Sequence, residues 1–169
     1  MLTALKHFPG HGSSFADSHE GFVDVTDTAD AKTELAPYRA LLAETLVDSV
    51  MTAHVVNRWV DPRHPATLSR RTITGVLRKK LGWHGVVVSD DLRMGAIEQH
   101  YGMDAAAALA LRAGVDVLLV ADDRLPDGRS ATDAILAALR ERVACGRLDA
   151  TRVQTSIARV RALAARASH

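Results

Sequence analysis

Cysteine is nearly absent: Cys145 stands alone in 169 residues. That excludes an intramolecular disulfide framework and fits a reducing compartment, so a cytoplasmic location is expected. Charge of one sign is also missing, because 21 Lys plus Arg balance 20 Asp plus Glu to a net +1, with no run of like charges. Neither nucleic acid nor a membrane surface is therefore an expected partner. The longest apolar stretches are strand-length, far short of the roughly 18 residues of a membrane helix. The opening residues MLTALKHF pass from apolar straight into charged and aromatic side chains, without the architecture of a secretory leader. What remains, 47% hydrophobic and 24% charged, is the composition of an ordinary globular chain.

Four short apolar runs stand out, each bounded by turn residues: 2–7, 47–55, 85–90 and 115–121. The last two, GVVVSD and VDVLLVA, read as strands buried on both faces of a parallel sheet. Helical periods lie between them. Residues 34–47 place Leu35, Tyr38, Leu42 and Leu46 on one face. The pattern over 68–81 has Ser69 as a possible N-cap and Gly82 at its end, and that over 103–113 ends at Gly114. Two further helices, 130–144 and 150–167, close the chain with Arg-rich solvent faces. The second has Asp149 or Thr151 as a cap and an apolar stripe of Val153, Ile157, Val160, Leu163 and Ala164. This strand–helix rhythm predicts an α/β fold with parallel pairing.

From the second strand to the fourth, one βα unit takes a little over thirty residues, the size found when about 250 residues make eight units. The first unit is longer, and its surplus falls in PGHGSSFADSHEGFVDVTDT (9–28), where neither a helical nor a strand period is visible. A long irregular loop after a strand in such a fold is usually functional.

Titratable groups gather where the strands end. Lys6 and His7 follow the first run, His54 and Asn57 the second, Asp90 and Asp91 the third, and the loop adds His11, Asp17 and His19. Active sites of parallel α/β folds sit at these carboxyl ends. Asp17 and His19 are two apart, so in an extended segment the carboxylate could orient and charge-stabilise the imidazole. An imidazole titrates near pH 6.5 and can serve as general acid or base without a large shift. The bland alternative is an Asx turn at Asp17 with His19 in solvent. Asp90 and Asp91 are adjacent, so one looks into the site and the other away, and periodicity does not say which. One candidate nucleophile remains.

Other chemistries find less support. Gly10 and Gly12 flank His11 in PGHG, suggesting a tight turn with positive φ rather than a phosphate cradle, and neither G-x-x-x-x-G-K-[ST] nor a strand-following G-x-G-x-x-G occurs. His7, His11, His19 and His54 with Asp90 invite a metal reading, but H-x-H and H-E-x-x-H are absent, and neither metal nor cofactor is predicted. His84, His100 and His169 read as surface residues.

KHFPGHGSSFADSH (6–19), VMTAH (50–54), DPRHPATLS (61–69), GVVVSDDLRM (85–94) and AGVDVLLV (113–120) resemble, in order and spacing, the family 3 glycoside hydrolases, most of all the bacterial β-N-acetylhexosaminidases of peptidoglycan recycling. The resemblance implies a (β/α)8 TIM-barrel fold and a retaining double displacement on a saccharide containing N-acetylglucosamine. By motif position, Asp90 is implied as nucleophile, His19 as acid/base and Asp17 as its dyad partner; Lys6 and His7 would bind sugar hydroxyls, and Met94 would line the pocket. That scheme is unusual, since retaining enzymes normally use two carboxyl groups roughly 5 Å apart. These motifs correspond to strands five to eight of the family barrel. Residues 1–169 are accordingly expected to form one partial barrel domain, with no second domain and little activity alone, whose partner is a separate N-terminal half or a second copy.

Overall fold

The computed structural model of the chain describes residues 1–14, 21 and 23–167. In chain order the strands are β1 (Ala4–Phe8), β2 (Val23–Asp24), β3 (Ser49–Thr52), β4 (Val55–Val56), β5 (Val86–Asp91) and β6 (Val117–Leu119). The helices are α1 (Ala31–Glu34), α2 (Ala36–Ala43), α3 (Gly95–Tyr101), α4 (Met103–Ala113), α5 (Ala131–Ala144) and α6 (Ala150–Ala167). A 3-10 turn (Ala66–Leu68) and a π-helix (Arg71–Lys80) lie between β4 and β5.

Strands β1, β3, β5 and β6 form one parallel sheet in that order, and β2 pairs with β4 in a small second sheet. Parallel neighbours need crossovers, which the helices supply, as expected of a TIM-barrel type α/β fold. Register sorts the side chains. Leu5, Val50 and Val87 are aligned across three strands and join the core formed with the helices. Met51, Val88 and Val117 are aligned on the opposite face, half-buried and outside both buried clusters. The core is built from Phe8, Ile73, Leu77 and Ile97, with Ala106, Ala107 and Ala110 letting α4 approach closely. Phe8 meets Tyr38 edge to face, with centroids 5.0 Å apart.

Each expected strand is present with shifted ends. The run 2–7 pairs over Ala4–Phe8, and the run 47–55 divides into β3 and β4 with Ala53 and His54 between them. The helix expected over 34–47 is α2, which ends at Ala43 and leaves Leu46, expected on its apolar face, exposed; α1 precedes it, with Leu35 ending one and beginning the other and Pro37 in the first turn having no amide to donate. The helix expected over 68–81 is wound wider: Leu81 N–H reaches Val76 O, five residues back, at 2.9 Å. Ser69 does cap it, its hydroxyl accepting Thr72 N–H at 3.1 Å. Strand β2 lies in the segment 9–28, where the sequence shows no period, and α3 has no counterpart among the expected helices.

The expected apolar stripe of α6 is corrected in part: Val153, Val160 and Leu163 are half-buried, but Ile157 and Ala164 are exposed and the one buried residue is Ser156. Polar groups join the inward side because it meets Asp116, just before β6, whose Oδ1 takes Ser156 Oγ at 2.8 Å, Arg152 Nη2 at 3.0 Å and Arg159 Nη1 at 3.1 Å. Two arginines expected to face solvent thus turn inward. This latch lies at the amino ends of the strands, opposite the site.

Candidate active site

Three strand ends are tied into one level. Ala53 N–H donates to Phe8 O at 2.7 Å, joining β3 to β1, and Asp90 N–H donates to Thr52 Oγ1 at 3.3 Å, joining β5 to β3. Leu92 N–H then donates to Leu119 O at 3.0 Å, which ties β5 to β6. Lys6, His7, His54 and Asp90 are therefore all carried to the carboxyl edge of one sheet. Lys6 is exposed, His7 half-buried and Met94 buried. Asp17 and His19 lie outside the described residues.

The two aspartates do divide as alternation predicts. Asp91 Oδ1 accepts Arg93 N–H and Ala121 N–H, each at 3.1 Å, so its carboxylate stitches the end of β5 to the loop after β6. Asp90 is half-buried and its Oδ1 accepts Asp91 N–H at 2.9 Å, while Oδ2 takes no hydrogen bond among the described residues. Asp91 Oδ2 is likewise without a hydrogen bond among the described residues, but Asp90, two residues after Val88 in β5, falls on the sheet face opposite the core.

Around Asp90 runs a polar cluster that sequence reasoning only touched. His54 is fully buried; its Nε2 lies 2.9 Å from Asp91 O and its Nδ1 lies 2.9 Å from Thr67 Oγ1. Thr67 Oγ1 is also 2.8 Å from Thr52 Oγ1 and 2.8 Å from Ala53 O. Burial lowers the pKa of His54, opposed by its contact with Asp91 O and by the charges of Asp90 and Asp91, and assisted by His7. Thr67 reaches this place through the DPRHPATLS segment, where Asp61 Oδ1 accepts Arg63 N–H at 3.0 Å and Oδ2 accepts Ser69 Oγ–H at 2.8 Å. The motif is a folded support. Thr52 and Thr67 carried no sequence signal beyond lying in VMTAH and DPRHPATLS.

The loop after β1 has its own anchor. Glu34 Oε1 accepts Ser13 N–H at 2.9 Å and bonds the Ser13 hydroxyl. Gly10 packs directly against Glu34 and has φ +141°, whereas Gly12 needs no positive φ. Among the described residues, no group of three or more His, Cys, Asp or Glu could hold a metal ion. No described helix is long and apolar enough to cross a membrane.

A parallel sheet with helical crossovers and titratable side chains at its carboxyl ends defines an α/β fold of TIM-barrel type. Residues 1–163 match the glycosyl hydrolase family 3 N terminal domain, and the chain belongs to that family. It is 40% identical over 155 residues to a beta-hexosaminidase of Stenotrophomonas maltophilia, covering 86% of this chain and 46% of that protein. An uncharacterized secreted glycosyl hydrolase of Arthroderma benhamiae is 32% identical, covering 99% of this chain and 47% of its own length. Among solved structures, a family 3 β-N-acetylglucosaminidase of Paenibacillus superposes with a TM-score of 0.85 at 41% identity, covering 96% of this chain and 30% of that one. The chain spans about half, or less, of the length of these relatives.

Proposed function

We propose that this chain carries the nucleophile side of a retaining glycosidase that releases terminal β-linked N-acetylglucosamine. The observation that carries the reading is Asp90, at the carboxyl edge of a parallel sheet and, two residues after Val88, on the sheet face opposite the core. In this reading Oδ2 attacks the anomeric carbon as the bond to the leaving oxygen breaks. His19, oriented by Asp17, protonates that oxygen, then deprotonates the water that releases the sugar. Lys6 and His7 bind sugar hydroxyls, and Met94 borders the pocket. The relatives' names support the substrate class. The exposed edges and the second face of the sheet support a further reading, that four more βα units complete the barrel, on this or another chain. Cytoplasmic peptidoglycan recycling belongs to the same proposal.

Trapping tests it. In the barrel completed with four further βα units, a 2-fluoro sugar should add its mass to the peptide containing Asp90, and Asp90→Ala should abolish labelling; a label on another residue removes the assignment.

A further inference from the structure

We propose that His54, Thr67 and Thr52 are positioning residues that fix the Asp90–Asp91 peptide, and with it the Asp90 carboxylate, through a chain of hydrogen bonds running in one direction. The proposal rests on Asp90 being the nucleophile.

Proton counting sets the direction. Asp91 O can only accept, so the 2.9 Å contact from His54 Nε2 requires the proton on Nε2. A neutral imidazole then presents Nδ1 as an acceptor, and Thr67 Oγ1, 2.9 Å away, must donate to it. A hydroxyl has one proton, so Thr67 cannot also donate to Ala53 O; that carbonyl already accepts Thr67 N–H at 3.2 Å. Thr67 Oγ1 in turn accepts from Thr52 Oγ1 at 2.8 Å, and Thr52 Oγ1 accepts from Asp90 N–H at 3.3 Å. The chain therefore runs from Asp90 N–H through Thr52, Thr67 and His54 to Asp91 O. It starts and ends on the two residues at the reacting edge, and each donor polarises the next.

The alternative is an imidazolium, which would free Thr67 to donate to Ala53 O. His54 has no exposed surface, and burial opposes that charge; the groups facing it are Asp90 and Asp91 from β5 and His7 from β1. Asp90 Oδ1 is fixed by Asp91 N–H, the amide of the next residue, so any shift of the Asp91 backbone moves the carboxylate directly. A misplacement of about 1 Å at a reacting group costs on the order of 100-fold in rate.

Nitrogen-15 NMR of the full chain, labelled at histidine, reads the tautomer at neutral pH. The expected result is one ring protonated at Nε2 and unprotonated at Nδ1, lost on His54→Gln; a doubly protonated ring or an Nδ1–H tautomer overturns the chain. The second arm is the rate of Asp90 labelling by the fluoro-sugar. Thr67→Val should slow it about 10- to 100-fold at saturating reagent with unchanged half-saturation, and Thr67→Ser should restore it. Folded Thr67→Val that labels at the unsubstituted rate, or Thr67→Ser that fails to rescue, overturns the positioning role. A barrel completed with four further βα units that never labels Asp90 removes the glycosidase reading and the catalytic half of this proposal together, while the tautomer still decides the hydrogen-bond chain.

Discussion

The carboxylate of Asp116, with no solvent exposure, sits 2.7 Å from Nη2 of Arg78, so the segment entering β6 is fastened to the π-helix by a buried ion pair. Burial pushes the pKa of Asp116 up, but Arg78, the Ser156 hydroxyl, Val87 N–H and Arg152 together hold it below the ordinary carboxylate value. Removing one partner of a buried pair leaves the other charge uncompensated, at a cost of about 3–5 kcal/mol. Here three guanidiniums would be stranded. Asp116→Asn should therefore lower Tm by roughly 6–20 °C, at about 2–4 °C per kcal/mol for a chain of this size. A calorimetric change under about 2 °C would show that the latch is dispensable.

Gly10 offers a second test at the root of the loop that follows β1. A Cβ built there would lie 2.0 Å from Glu34 Oε2 and 2.8 Å from Glu34 Cβ, on a backbone already at φ +141°. Gly10→Ala must displace Glu34 and with it the bond to Ser13 N–H, costing upwards of about 1 kcal/mol. Thermal denaturation should show the loss, and Glu34→Gln should lose less, since an amide oxygen can still accept from Ser13. Equal Tm for Gly10→Ala and the unsubstituted chain would mean that Glu34 is not fixed in place.

The strands of the main sheet were legible because β-branched runs between turn residues are a local signal, and their parallel pairing followed from the strand–helix rhythm. Alternation also separated Asp90 from Asp91 without naming which looked inward; the register names it, because Val87 packs into the core and Asp90 falls with Val88 on the other face. Less legible was α6, where an apolar stripe was expected and Arg152, Ser156 and Arg159 join the inward side, because their partner, Asp116, is some forty residues away in the chain. Strand β2 has two residues, too few for a period, and exists only by pairing with β4. Thr52 and Thr67 were invisible as site residues for the same reason: a threonine becomes a relay only when the fold brings another group to its hydroxyl.

Acid should weaken the fold in two separate windows. The pKa of His54 is lowered from 6.5 in the folded chain, first by burial. Below pH 6.5 the unfolded chain takes up a proton that the folded one refuses, so stability falls as pH drops toward the folded value, by up to about 1.4 kcal/mol per pH unit. Asp116, whose pKa is depressed, contributes above its unfolded value of 3.8 and loses that contribution only as pH falls further. Urea midpoints at pH 7.5 and 5.5 should differ for the unsubstituted chain, and His54→Gln should flatten that difference while leaving the steeper loss below pH 4. An undiminished slope in His54→Gln would place the acid sensitivity elsewhere.

Asp90 and Asp91, adjacent in sequence, should fail in opposite ways. Asp91→Ala strips the acceptor from Arg93 N–H and Ala121 N–H, two donors at the end of β5 and the loop after β6. Leaving partly buried donors unsatisfied costs about 1–3 kcal/mol, so this variant should melt earlier by several degrees. Asp90→Ala removes one acceptor, for Asp91 N–H at a half-buried position, and should change Tm by no more than a degree or two while ending covalent capture of a fluoro-sugar. Running both variants through the same melt and the same intact-mass assay separates the roles. If Asp91→Ala keeps its Tm and loses labelling while Asp90→Ala is labelled normally, the nucleophile is Asp91, and the outward stitch seen for its carboxylate does not persist in the reacting protein.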